Sequence, residues 1–513
     1  MSLNKDGNNS VGSDTVMARR SIALWYLIVL AGAGLLYVFT CAPGMLWQDS
    51  ALYVWRIWNN DIEGDLGLAL SHPLYIMIGI GVRHIPFGEL ALRVNLISVV
   101  CGAAAVANLF LLLRLWLGRN LPAIVAAITF AVSWTFWQHA VIAEVYTLCV
   151  ALLSTELIML VQYVRTKRVG YLYLLGFFNG LAIANHMWGV FGFVCYTVLL
   201  VVLLVHKQIG LKHFGVIILL WVVGAAPYEY LVIKNIVLSG DVQATLASAV
   251  FGNLWQGHVL NVSISMKIVL ENIIFILLNF PTPNLVFFFV GLWALRKTAP
   301  SRSFANITLA LLLLYFVFAF RYTVPDRYVF LLPFYYFAAL LIGLGADVIL
   351  RRYDQKALAF VVLAFALLPI PAYYVTPAVA RKMYKPLGQR RQRPYRDEYI
   401  YFLQPWKRGY RGAERFANEA LNGVEENAII YADSTIVHLL LYMRQAKSQR
   451  SDVKIVSKYY MSENAPAFTE DTIEQLMEKS AVYVVSPMPG YCPQFLLEQY
   501  KFEQVGIIWK VVE

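Results

Sequence analysis

From residue 21 onward the chain alternates between long apolar runs and short clusters of basic and polar residues. The runs reach about 20 residues and recur many times, so they predict membrane-crossing helices rather than buried core helices. Strands of a membrane barrel would read instead as short alternating segments. Taken with the basic clusters, the pattern predicts about eleven spans, near 21–41, 95–115, 121–137, 140–163, 171–185, 187–206, 214–233, 284–297, 303–320, 328–349 and 357–375. Arg19/Arg20, Arg114/Arg119, Arg165/Lys167/Arg168, Lys207/Lys212, Arg296/Lys297/Arg302 and Arg351/Arg352/Lys356 then all fall on one side. The bias of basic residues assigns that side to the cytoplasm. Residues 1–20 become a cytoplasmic tail, residues 21–375 the membrane domain, and the C-terminus lies outside, with the chain integral to a plasma (inner) membrane.

Two apolar segments do not fit as spans. "HPLYIMIGIGVRHIPF" (72–87) is short and carries Arg83 and His84; "KIVLENIIFILLNFPTP" (267–283) carries Glu271 and ends at two prolines. Both are expected as interfacial or re-entrant helices of two outer loops, 42–94 and 234–283. After Val375 the pattern changes again. Residues 376–411 form a basic juxtamembrane linker, and 412–513 alternate helical and strand-like stretches. "NAIIYAD", "DVKIVSK", "AVYVVSP" and the final "FEQVGIIWKVV" read as strands of a small extracytoplasmic α/β domain with a largely parallel sheet. The expected fold class is therefore an α-helical multi-span membrane protein with a C-terminal soluble α/β domain.

Composition agrees and removes alternatives. Hydrophobic residues make up 59% of 513 and charged residues 14%, and the mean hydropathy is +0.60, outside the range of a soluble globule. The net charge of +11 is read as topology rather than as a nucleic-acid surface. Five scattered cysteines give neither a disulfide framework nor metal-ligand spacing. No cofactor is required by the pattern, although a divalent metal stays open.

Polar residues near membrane depth gather at the outer face. An acid there is costly and is a functional candidate by default. Asp49 in "MLWQDSALYVWRIW" is read as a general base, with Trp47, Tyr53 and Trp55 as the wall of its cavity, against an interfacial aromatic belt with an incidental acid. Glu144 in "IAEVYTL" is expected just inside the fourth span. His72 opens the interfacial helix, and His186 in "ANHMWG" lies in the same layer; each has a packing role as its alternative. Tyr228 and Glu229 lie toward the outer end of the seventh span. In "FRYTVPDRYVFLLP", Arg321 and Arg327 could clamp a phosphate, or Arg327 could pair with Asp326.

On these motifs the chain resembles the GT-C superfamily of integral-membrane glycosyltransferases, in particular a bacterial branch related to the eukaryotic transmembrane O-mannosyltransferases. "QDSALYVW", "SHPLYIMIG" and "ALRVNLIS" match the family's first-loop aspartate, His-Pro turn and Arg-x-Asn entry through Asp49, His72, Arg93 and Asn95. "FWQHAVIAEVYTL" matches through Trp137, Glu144 and Tyr146, and "NGLAIANHMW" through Asn185 and His186. "PYEYLVIKN" and "YTVPDRYVFLLP" resemble its tyrosine-rich seventh-span end and late aspartate loop. The chain departs in having Leu52 where the family carries a further acid, and in a shortened turn after His72.

The resemblance implies an enzyme that moves a hexosyl or pentosyl unit from a polyprenyl-phosphate sugar to an acceptor hydroxyl at the outer face, with inversion. Asp49 and Glu144 would be catalytic; His72, Arg93, Tyr146, His186, Tyr228, Arg321, Asp326 and Arg327 would bind substrate. The partners are then the lipid-linked donor, a protein, lipid or glycan acceptor and membrane lipids, with no nucleic acid. A lipid-linked sugar flippase or other transporter is the alternative.

Overall fold

The computed structural model describes residues 7–324, 326–353, 355–383, 393–458, 460, 462 and 464–513. The chain is an integral membrane protein. Among the described residues seven helices are long and apolar enough to cross a bilayer: Arg20–Thr40, Leu90–Leu117, Tyr146–Thr166, Leu211–Ser239, Arg302–Arg321, Val329–Arg352 and Lys356–Met383. Two bent pairs raise the number to nine: Asn120–Ala131 with Trp134–Ala140, bent by 70°, and Met266–Asn279 with Pro283–Thr298, bent by 118°. The expected spans 171–185 and 187–206 are the helices Gly170–Asn185 and Gly189–Val205, of 16 and 17 residues. At about 1.5 Å per residue each is only about 24–26 Å long, short of the ~30 Å hydrocarbon layer. The count of eleven is therefore not confirmed.

Burial sorts the helices. Val329–Arg352 runs through the middle, with 94% of its apolar stretch buried, whereas Arg20–Thr40 (11%) and Lys356–Met383 (22%) leave theirs exposed at the periphery. Small residues allow the closest crossing. A Cβ at Gly180 would stand 2.2 Å from the Trp221 carbonyl oxygen, and one at Gly224 would stand 2.3 Å from that of Phe177. Gly170–Asn185 and Leu211–Ser239 thus pack backbone to backbone, the usual device where apolar burial gives no drive. At the end of the bundle away from the sheet, Asp347 takes Arg119 and Arg351, each at 2.8 Å.

Residues 412–513 form a five-stranded sheet of β1 (Ile429–Tyr431), β2 (Lys454–Val456), β3 (Val482–Val484), β4 (Lys501–Val505) and β5 (Ile508–Val512), in the order β2-β1-β3-β5-β4. The helices Gly412–Asn422, Val437–Ala446 and Ile473–Lys479 lie where the sequence places them. The sheet is mixed rather than largely parallel: β1 pairs parallel with β2 and β3, but β5 pairs antiparallel with β3 and β4. The reason is local. Gly506, at φ 60°, splits the last strand-like stretch into a hairpin with a two-residue turn, a connection too short for a parallel crossover.

The sheet region rests on the first loop of the membrane domain. Trp47 Nε1–H donates to the Tyr410 hydroxyl at 2.7 Å and its ring packs on Phe416. Trp55 stacks on Trp58, and Trp58 meets Tyr442 edge-on. Trp47, expected in the wall of the Asp49 cavity, is thereby committed to docking, because its indole N–H finds its partner on the sheet side. The linker is likewise largely structural. Arg381 pairs with Asp397, Arg393 with Asp433, Arg396 with Glu398 and Arg411 with Glu414, while Lys407 is buried on the carbonyls of Tyr401 and Gln404. Lys385, Arg390 and Arg391 lie outside the described residues.

Candidate active site

Asp49 is the first residue of an amphipathic helix, Asp49–Asn59, where the helix dipole favours an acid. The helix ends at Asn60 in the left-handed conformation, which asparagine tolerates. It lies on a second short helix, Pro73–Arg83, with Gly79 giving room for Ile57. Pro73 suits the first turn, and His72 caps it at φ 47°, ψ 48°. A side chain held in that region marks a site that the surroundings over-determine. What holds it is visible: His72 Nδ1–H donates to the Asn185 carbonyl at 2.9 Å, and its ring stacks on His186 at 5.0 Å and 16°.

Glu144 is not inside a span. It sits in the turn between Ala140 and the helix Tyr146–Thr166. Ser98 Oγ clasps that turn, accepting from the Glu144 N–H and donating to its carbonyl, both at 3.1 Å. Asn185 Nδ2 ties the same turn to the histidine layer through the Val145 carbonyl. The Glu144 side chain is buried, yet its Oε2 has no partner among the described residues. A buried polar atom without a partner is costly and calls for a reason.

Three carboxylates, Asp49, Glu144 and Asp326, lie within electrostatic reach of one another. Burial first, then the charge of Asp326, pushes Asp49 up to about 7. Glu144 is held well above the usual carboxylate range by burial and by the charges of Asp49 and Asp326. Asp326, in the loop before Val329–Arg352, is raised by burial. The rings of Tyr53, Tyr146 and Tyr328 lie within electrostatic reach of these acids. Tyr146 also packs on His186 and Trp188. Among the described residues no group of three or more His, Cys, Asp or Glu side chains is arranged to hold a metal ion.

The histidine pair is neutral and its tautomers are fixed. Burial pushes His72 down to about 4, and burial with the neighbouring His72 lowers His186 well below its ordinary value. Nδ1 of His72 carries its proton, so Nε2 accepts. Nδ1 of His186 accepts from the Trp188 N–H at 3.1 Å, so Nε2 carries the proton and donates. One ring offers an acceptor and the other a donor, which suits hydroxyl or phosphate oxygens.

Four expected substrate residues are engaged elsewhere. Arg93 holds the Arg83 and Ile85 carbonyls. Tyr228 donates to the Ala249 carbonyl at 2.6 Å within a small apolar cluster. Arg321 donates to the carbonyls of Val259 and Asn261, each at 2.6 Å. Arg327 is buried and pairs not with Asp326 but with Glu271, at 2.5 Å. These bonds use one terminal nitrogen of each of Arg321 and Arg327, so a phosphate would meet the remaining N–H donors of each guanidinium. Arg327→Ala and Glu271→Ala are accordingly expected to lower stability by about 1–3 kcal/mol, since each strands a charge-assisted partner. Thermal unfolding in detergent measures this, and unchanged stability with lost donor binding would restore the clamp.

Other contributors had weak signals. Tyr328 and His139 lie in quoted motifs but have no spacing that singles them out. Arg56 stood out more, as a cation among Leu52, Tyr53 and Ile57 on the apolar face of its helix. Asn95, fully buried at the start of a span, holds the Ala42 and Gly44 carbonyls at 2.9 and 3.1 Å and so fixes the start of the first loop.

Comparison with known proteins gives the context. Residues 69–209 match the model of the Protein O-mannosyl-transferase TMEM260 N-terminal domain, a stretch containing His72, Arg93, Glu144, Tyr146 and His186. Protein O-mannosyl-transferase TMEM260 of Mus musculus is 29% identical over 179 residues, 33% of this chain and 26% of that protein. The match thus spans about a quarter of that relative's length. Over almost the whole chain the fold is that of ArnT from Cupriavidus metallidurans. The structure bound to undecaprenyl phosphate has a TM-score of 0.57 at 15% identity, covering 95% of this chain and 97% of that one. The apo structure has a TM-score of 0.56 at 16% identity, covering 96% and 98%.

Proposed function

We propose that this chain, which has the GT-C fold of the integral-membrane glycosyltransferases, transfers a sugar from a polyprenyl-phosphate donor to an acceptor hydroxyl at the outer face of a plasma (inner) membrane. The observation that carries the reading is the convergence of Asp49, Glu144 and Asp326 beside a neutral, tautomer-fixed histidine pair. The ArnT structure with undecaprenyl phosphate makes a polyprenyl phosphate the natural donor class. The N-terminus would be cytoplasmic and the sheet region outside.

In this mechanism the acceptor oxygen attacks the anomeric carbon, Asp49 takes the hydroxyl proton, and the bond to the phosphate oxygen breaks with its electron pair leaving on the phosphate. A base with its pKa near 7 is matched to neutral pH. The configuration inverts, because attack and departure are on opposite faces. Glu144 binds a sugar hydroxyl through its unpartnered oxygen. As positive charge develops on the ring, the Asp326 carboxylate stabilises it. His186 donates to a phosphate oxygen as a neutral N–H rather than as a cation, since burial keeps it uncharged.

Purified protein in liposomes, given a panel of polyprenyl-phosphate hexoses and pentoses, should release free polyprenyl phosphate in step with glycosylated acceptor. Translocation of the intact lipid-linked sugar without cleavage would instead make it a flippase.

A further inference from the structure

We propose that the sheet-bearing C-terminal region completes the active site by holding the backbone in front of Asp49, with Asp433 as the positioning residue. The inference rests on the reading of Asp49 as the base, and deepens it.

Gln48 precedes Asp49 with φ 60° and ψ −132°, a left-handed backbone that glycine adopts readily and glutamine does not. The residue before a helix ordinarily has an extended backbone. Something must therefore hold Gln48. Its carbonyl accepts from the N–H groups of Ala51 and Leu52 at 3.0 and 3.2 Å, which closes the helix start, and its N–H donates to the Thr435 carbonyl at 2.9 Å. Thr435 belongs to a turn built on Asp433, whose Oδ1 accepts from the Thr435 N–H at 2.8 Å. The other oxygen of Asp433 faces both terminal nitrogens of Arg393 at 3.4 Å, and that guanidinium lies over the Tyr491 ring. Asp433 and Arg393 are both buried, so the turn is not free to drift.

The same stretch is gripped twice more from the same region. Met45 N–H donates to Glu414 Oε1 at 3.0 Å, and Trp47 donates to Tyr410. Residues 45–48 thus hang from three points on residues 410–435, and Asp49 follows the last of them. Without the Thr435 carbonyl, Gln48 relaxes toward the extended cap and swings the peptide that carries Asp49. A displacement of about 1 Å in a catalytic group costs on the order of 10²-fold in rate. Asp433 touches no reacting atom; it acts through Thr435 and Gln48.

The test compares Asp433→Ala with Asp433→Asn in the full-length protein in liposomes. Asparagine keeps an oxygen for the Thr435 N–H and loses both the charge and the acceptor toward Arg393, whose two contacts are long at 3.4 Å. The expected result is that Asp433→Ala lowers kcat about 10–100-fold with KM for the polyprenyl-phosphate sugar nearly unchanged, and that Asp433→Asn recovers most of it. The acid limb of the kcat profile should move to lower pH in Asp433→Ala, as water reaches Asp49, and amide exchange over residues 45–52 should quicken. Loss of kcat, KM and thermal stability together, with no recovery in Asp433→Asn, would reduce Asp433 to general support and overturn the proposal. Normal kcat despite faster exchange would overturn it as well. A wild-type protein that transfers no sugar would remove the base itself, and the exchange difference, which needs no turnover, would tell that failure apart from loss of the coupling.

Discussion

Asp49→Asn should reduce sugar transfer by roughly 10²–10⁴-fold, the range for loss of a general base, while leaving the fold and donor binding in place. Asparagine has the shape of the acid and keeps an oxygen at the helix start, so Asp49–Asn59 still forms. It cannot take the acceptor's proton. The pH dependence gives the second half of the same result. With Asp49 pushed up to about 7 by burial and by Asp326, the reactive carboxylate form disappears as pH falls through 7, so wild-type kcat/KM should rise with pH and level off above it. Asp326→Asn removes the like charge and should shift that limb to lower pH. Steady-state transfer measured from pH 5 to 9 on the three proteins decides the matter. Near-normal turnover in Asp49→Asn, or a limb that ignores Asp326→Asn, would remove Asp49 from the mechanism.

Arg56→Ala should be the most destabilising substitution in the first loop, by at least about 3 kcal/mol. The side chain is 3% exposed and donates to four carbonyls: Asp61 at 3.2 Å, Ile62 at 2.8 Å, Leu70 at 3.4 Å and Ser71 at 2.8 Å. Each buried acceptor left without its donor costs about 1–3 kcal/mol, and only part of that is regained through water. Activity should fall with stability, because Ser71 leads directly into the left-handed His72. Arg56→Lys should rescue little, since an ammonium cannot reach across the span of a planar guanidinium. Unfolding in detergent and transfer activity measure the two effects. A shift within about 0.5 kcal/mol, typical of a surface position, would show that the loop holds itself.

The acids, the histidine pair and the order of helices and strands were legible in the sequence because each leaves a local mark. A carboxylate beside a span is anomalous in one residue, and a helix or strand repeats within ten. Residues 171–185 and 187–206 read as spans because hydropathy reports apolarity, whereas helix length, here 16 and 17 residues, is set by the break at His186. Gly506 reads as a hairpin turn only once β4 and β5 are known to pair. Arginine showed the widest gap. Arg321 and Arg327 look like phosphate ligands by type and spacing, and the partners that hold them, Val259, Asn261 and Glu271, lie 56 to 62 positions away along the chain. Nor does any local pattern relate Gln48 to Thr435. Partners distant in sequence are set by packing, on which a single chain's periodicity is silent.

The grip of residues 410–435 on the first loop also sets when activity can begin. Trp47 and Tyr410 are 363 positions apart, and Met45 and Glu414 are 369 apart. At roughly 5–20 residues per second, a ribosome needs about 20–70 s to travel that far. During that interval the loop, with Asp49 and its exposed tryptophans, has been made but has nothing to dock on. A nascent chain therefore holds an unassembled catalytic centre until its last span is inserted and the sheet region has folded. Incompletely synthesised copies should sit in the membrane without the proposed transfer activity.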